Sequence, residues 1–262
     1  MTRVVIVTGV SFGLGCAISI AYSNVVCGDL SGQILVGESQ TTVGLINEVQ
    51  LGRAIIVSVD NLISTAVSQY GRLDVMVNNA GISLELYNKL GPKLITETTD
   101  ATFEKTMAVN MRSVFLGCKY AIRQFMTQLL LTLGSRGWII NTSSVYGLQA
   151  EINHVVTHMT KCVALESAPA KIHCNVICPG CKSLSGVLSI DNSINLMIVI
   201  RTGMDSNLHS DEATLDATVA LHPWGSLGNP GDVAKAAVFL ASENAGWITG
   251  VSLPVDGGYM VG

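Results

Sequence analysis

An apolar run, Val4-Val5-Ile6-Val7-Thr8, is followed at once by glycines at 9, 13 and 15. A Val/Ile run without alternation reads as a strand buried on both faces. Glycines directly after such a strand let the backbone turn sharply and admit a ligand where a Cβ would otherwise stand. A helix opening near Gly13 would aim its unpaired amides over the turn, a setting that favours an anion such as a pyrophosphate. Two readings stand at this point, a phosphate cradle and an ordinary strand-to-helix loop. Two acids bear on the choice. Asp29 and Asp60 close the apolar stretches 25–29 (VVCGD) and 54–60 (AIIVSVD), each of which reads as a strand. One strand–helix–strand unit beyond the turn, a carboxylate at Asp29 suits a ribose 2′-hydroxyl and repels a 2′-phosphate. No Arg or Lys occurs between Arg3 and Arg53 to offset such a phosphate, so the pattern favours NAD over NADP.

A second constellation is Cys178-Pro179-Gly180-Cys181, with His173 and Cys174 just upstream. A CxxC pair can serve zinc or thiol chemistry. There is no second CxxC, however, and Cys178 closes an apolar run that reads as a strand, so no metal is assigned. The seven cysteines are odd in number and scattered through apolar segments, which suits reduced core thiols in a cytoplasmic protein.

The elements that must position these residues alternate in type. After the glycine turn, 16–23 is helix-like. Strands are read at 25–29, 54–60, 74–77, 137–142, 173–178 and 251–255. Long helical patterns run through 100–133, and a further helix spans 231–243, opened by Asn229-Pro230 with Asp232 in its first turn. Strands alternating with helices imply an α/β fold, a Rossmann-like doubly wound parallel sheet with helices on both faces in three αβα layers, its ligand at the carboxyl ends of the strands.

Composition agrees with that architecture. Apolar residues make up 48% and charged residues 13% of the 262, as expected where central strands are covered on both sides. A net charge of −4 argues against a general binder of nucleic acid or anionic membrane. No apolar stretch approaches the ~18 residues of a membrane span, and no basic leader precedes the first strand. With no repeat or linker-like shift, the expectation is one domain over 1–262.

With Thr8-Gly9, Gly13, Gly15, Asp60, the Asn-Asn-Ala-Gly turn at 78–81, Asn110, Ser144, Lys161, Pro179-Gly180 and the tail WITGVSLPVDGG at 247–258, the chain resembles a short-chain dehydrogenase/reductase nearly end to end. The resemblance implies an oxidoreductase that moves a hydride between NAD(H) and a secondary alcohol or ketone. Gly9, Ser11, Phe12, Gly13, Leu14, Gly15, Asp29, Leu30, Asp60, Asn61, Asn79, Ala80, Gly81, Lys161, Pro179 and Gly180 would hold the cofactor. Ser144, with Ser143 as the alternative, matches the serine that binds the substrate oxygen, and it precedes Lys161 by 17 residues. Lys161 matches the lysine that holds the nicotinamide ribose, and Asn110 the asparagine of a proton relay. Such enzymes are commonly dimers or tetramers, so a homo-oligomer is implied, with the mobile substrate loop and cover at 182–222.

The chain departs from the family pattern at one chemical position. Thr157 stands four residues before Lys161, where the family has its proton-donating Tyr. A phenol, with a pKa near ~10, can be drawn toward neutrality by an adjacent ammonium, whereas an aliphatic hydroxyl is a far weaker acid. His154 and His158 flank the position without occupying it. The alternative function is therefore an NAD-binding protein of the same fold with impaired turnover. Asp29, Asn78 and Pro179 also follow their upstream motifs by fewer residues than the family usually has, deficits expected to fall in helices.

Overall fold

The structure, a computed structural model, describes residues 3–10, 13–22, 24–28, 34–36, 51–82, 96, 98–145, 148, 155–180, 216 and 219–261. Strand β1 (Val4–Thr8) leads into helix α1 (Gly13–Ile20). Then come β2 (Asn24–Gly28), β3 (Ile34–Val36), α2 (Leu51–Tyr70) and β4 (Val75–Asn78). Helix α3 (Asp100–Met107) passes through a π-helical turn, Ala108–Arg112, into α4 (Ser113–Met126). After it lie β5 (Gly137–Thr142), α5 (Val156–Ser167), β6 (Ile172–Pro179), α6 (Pro230–Leu240) and β7 (Ser252–Val255).

The described strands form one sheet in the order β3-β2-β1-β4-β5-β6-β7. Six of them are parallel, and β3 adds antiparallel to β2 at one edge. Strand alternation sends neighbouring residues to opposite faces. Val5, Val7, Val75, Val77, Trp138, Ile140 and Ile177 pack with Ile18 of α1 and with Val233, Ala237 and Leu240 of α6. Val4, Ile6, Met76, Ile139, Cys174 and Val176 pack with α2, α4 and α5 through Leu62, Val114, Phe125 and Ala164. The expected three-layer, doubly wound architecture is the one observed.

One expected strand is wrong. The stretch 54–60 lies inside α2, whose 20 residues continue past it. Its buried positions Val59, Leu62, Ile63 and Ala66 recur at helical spacing. A short unbroken apolar run fits either state, and the longer pattern around it decides for the helix. Asp60 and Asn61 accordingly sit exposed on a helix rather than at a strand end on the ligand edge. The β3 edge strand was not expected from the sequence.

Candidate active site

The glycine turn is tied to the turn after β4. Thr8 Oγ1 accepts hydrogen bonds from the Asn79 and Ala80 amides at 3.0 and 3.1 Å. In return Asn79 Nδ2 donates to the Thr8 and Gly9 carbonyls at 3.2 and 3.3 Å. This contact leaves no room for side chains. Gly9 holds a φ of 70°, and a Cβ there would lie 2.8 Å from Ala80 Cα. A Cβ on Gly15 would lie 2.1 Å from the Gly9 carbonyl oxygen. Gly13 differs: its φ is 58°, but among the described residues a Cβ would meet nothing within 4 Å. Among the described residues, then, nothing crowds the first residue of α1, where helix amides favour an anion. A backbone cradle of this kind fits a pyrophosphate. Leu14 is half-buried and packs on the α1–α6 side of the sheet.

Asn110 occupies the π-helical turn, a distortion frequent at functional sites. Its Oδ1 accepts from the Ile82 amide at 2.8 Å, and its Nδ2 donates to the Ile82 carbonyl at 2.7 Å. That two-point clamp fixes the backbone just beyond Gly81, whose Cβ position faces Asn110 Oδ1 at 3.6 Å.

A buried polar chain crosses the other face. Asn78 Nδ2 donates to Asn141 Oδ1 at 2.9 Å, and Asn141 Nδ2 donates to Thr160 Oγ1 at 2.9 Å. Thr160 Oγ1 in turn donates to the Val156 carbonyl at 2.8 Å. Beside Asn141 lie the thiols of Cys118 and Cys174, at 3.7 and 3.8 Å from its Nδ2. The adjacent Cys118 thiol, together with burial, pushes the Cys174 thiol well above the usual range. The chain ties α5 to β4 and β5, and α5 carries Thr157 and Lys161 one helical turn apart. Thr157 is 2% exposed, while Lys161 is exposed. Ser143 and Ser144 follow β5 half-buried, with the Ser143 amide donating to the Ile177 carbonyl at 2.8 Å.

Pro179 ends β6 and Gly180 follows it, its amide donating to the Val255 carbonyl at 3.0 Å. A Cβ on Gly180 would stand 2.7 Å from Asp256 Cβ, so the tail closes against this turn. Asp256 fixes that tail by accepting from the Gly258 and Met260 amides, each at 3.0 Å. Cys178 is fully buried in β6, and burial pushes its thiol up to about 12, away from the thiolate that redox or metal chemistry needs. Among the described residues no cluster of His, Cys, Asp and Glu could hold a metal ion, and no helix is long and apolar enough to cross a membrane.

The strand ends thus gather Gly9, Asn79, Ala80, Gly81, Ser144, Pro179 and Gly180, with Asn110 clamped to the same edge. Asp60 and Asn61 are not part of that gathering. Ser11, Phe12, Asp29, Leu30 and 181–215 lie outside the described residues. The sequence reading gave no role to Asn141, Thr160 or Gly117. A polar residue inside an apolar strand is the one signal that could have flagged Asn141, because such a residue must be paired when buried.

This is a Rossmann-like parallel sheet, a fold whose carboxyl edge is where dinucleotides bind. A family model described as short chain dehydrogenase matches residues 3–188, and one described as Enoyl-(Acyl carrier protein) reductase matches residues 192–260. The chain is 31% identical to 2-(R)-hydroxypropyl-CoM dehydrogenase of Xanthobacter autotrophicus over 275 residues, covering 99% of both proteins. It is 35% identical to 3beta-hydroxysteroid dehydrogenase 2 of Eggerthella lenta over 209 residues, 77% of this chain and 70% of that one. The crystal structure of gox2181 shares the fold with a TM-score of 0.72 at 23% identity, over 100% of this chain and 96% of that one. The chain belongs to the short-chain dehydrogenase/reductase family, oxidoreductases that generally use NAD(P), and its named relatives are dehydrogenases.

Proposed function

We propose that the chain is an NAD-dependent dehydrogenase or carbonyl reductase acting on a secondary alcohol or ketone. The observation that carries this reading is the glycine turn locked onto Asn79 and Ala80 beside the edge that bears Ser144 and α5. NAD is favoured over NADP by the carboxylate of Asp29, with no Arg or Lys nearby in sequence. Bound NAD(H) supplies or accepts the hydride. Ser144 holds the substrate oxygen by a hydrogen bond, and the Lys161 ammonium holds the nicotinamide ribose. Asn110 keeps the backbone beyond Gly81 in place at the floor of the site. The reading extends to one catalytic domain over 1–262 with 182–222 covering the substrate, in a cytoplasmic homo-oligomer.

Thr157 supports a second reading. Its hydroxyl cannot be brought near neutral pH as a phenol can, so Lys161 gains no efficient proton donor at this position. The chain would then bind NAD(H) with little turnover. NADH oxidation with small ketones and diketones, comparing the native chain with Thr157→Tyr, decides between the two. Turnover by the native chain supports the dehydrogenase. Tight NADH binding without turnover, and a large gain in Thr157→Tyr, supports the impaired binder. Thr157 is buried, so the larger side chain is expected to cost about 1–3 kcal/mol, and a melting curve establishes that the variant is folded. Failure of the native chain to bind NADH overturns both readings.

A further inference from the structure

Thr142 is the last residue of β5, directly before Ser143 and Ser144. Its Oγ1 is shielded from solvent and has no hydrogen-bond partner among the described residues. Leaving a buried hydroxyl unpaired costs about 1–3 kcal/mol, and such groups in native structures call for an explanation, an absent ligand among them.

Its position identifies the ligand. Trp138 and Ile140, four and two residues earlier, pack on the side of α1 and α6, whereas Ile139 packs on the side of α2, α4 and α5. Alternation therefore puts Thr142 on the face that carries the glycine turn. Its neighbour across the ladder is Ile177, two residues before Pro179. In the strand order β2-β1-β4-β5-β6 the connections reverse direction at β1, which is where such sheets bind dinucleotides. A dinucleotide with its pyrophosphate over Gly13 extends both ways along this edge. The ribose that Asp29 would serve lies toward β2, so the nicotinamide end lies toward β4, β5 and β6. Thr142 stands two strand spacings from β1 on that side, ~10 Å away. The nicotinamide carries a carboxamide with both donor and acceptor, and a threonine hydroxyl can pair with either.

We propose that Thr142 Oγ1 is a cofactor-binding group that hydrogen-bonds the carboxamide of the nicotinamide. This rests on the proposed dinucleotide reading. The test is calorimetric titration of the native chain, Thr142→Val and Thr142→Ser with NADH and, separately, with ADP-ribose, which lacks the nicotinamide. Valine keeps the shape of threonine and removes only the hydroxyl. In Thr142→Val, NADH affinity is expected to fall about 3- to 10-fold, the worth of one hydrogen bond. ADP-ribose affinity should not change, and the ligand-free melting temperature should hold or rise because an unpaired hydroxyl is gone. Thr142→Ser should bind NADH as the native chain does.

Unchanged NADH affinity in Thr142→Val overturns the proposal, as does an equal loss for both ligands. A large drop in the ligand-free melting temperature of Thr142→Val also overturns it, since the hydroxyl would then be serving the fold. If the native chain binds neither ligand, the dinucleotide reading itself falls, and the proposal with it.

Discussion

Gly117 lies in the interior of α4, where helix propensity alone says that alanine should stabilise by about 1 kcal/mol. The structure demands the opposite sign. A Cβ at Gly117 would stand 1.9 Å from Asn78 Oδ1, 2.7 Å from its Cγ and 2.9 Å from its Nδ2. Asn78 is 3% exposed and its amide donates to Asn141 at 2.9 Å, so it has no solvent to retreat into. Moving it strands the Asn141 acceptor, worth about 1–3 kcal/mol, and overpacking adds about 1–3 kcal/mol more. After the propensity gain, Gly117→Ala should destabilise the chain by about 3 kcal/mol. For a protein of this size that lowers the melting temperature by about 6–12 °C. Circular dichroism melts of the ligand-free chain measure it. A double-mutant cycle isolates the cause, because truncating the amide in Asn78→Ala removes the obstacle. In that background Gly117→Ala should cost nothing or stabilise slightly, giving a coupling of about 3–4 kcal/mol. A Gly117→Ala chain that melts at or above the native temperature would refute the argument.

Thr8→Val removes the acceptor for the Asn79 and Ala80 amides and should cost about 2 kcal/mol along with a weaker NADH affinity, while Thr8→Ser should retain both; paired melting and titration experiments check this. His173 supplies a pH test. Burial lowers its pKa, partly offset by its hydrogen bond to the Ile248 carbonyl. The ring stacks on Trp138, with Ser135 Oγ 3.0 Å from Nε2, and the Arg3 guanidinium lies over the same Trp138 ring at 4.1 Å. A histidine depressed in the folded state contributes stability that is present above its unfolded pKa of about 6.5 and lost as pH falls through its folded value. The melting temperature should therefore fall between about pH 7 and pH 5, and His173→Phe should flatten that slope. An unchanged slope in the variant would exclude His173 as its source.

The sequence disclosed most of the sheet because its strands are short Val/Ile runs closed by turn residues, and 137–142 matches β5 to the residue. The same signal misled at 54–60, where an apolar run with no turn after it belonged to a longer helix. The short β3, three apolar residues on an edge, carries too little pattern to stand out. At the site, the glycines were legible because part of their reason is local: Gly9 and Gly13 hold a positive φ, and a Cβ on Gly15 would strike the Gly9 carbonyl. Asn141, Thr160 and Gly117 were not legible, because their reason is a partner tens of residues away. A glycine inside a helix reads as a flaw until the asparagine that fills its place is seen.

That distinction bears on what Thr157 removes. Consecutive strand-end residues face opposite sides of the sheet, so the two asparagines of the 78–81 turn serve different elements. Asn79 grips the Thr8–Gly9 backbone, and Asn78 reaches through Asn141 to Thr160 on α5. One turn thereby ties both the glycine turn and the helix that carries Thr157 and Lys161. The grip on α5 is made at Thr160, three residues past Thr157. A threonine at 157 leaves that tie between α5 and the sheet in place. Binding and proton transfer are then separable in this chain, which is why cofactor affinity and turnover must be measured apart.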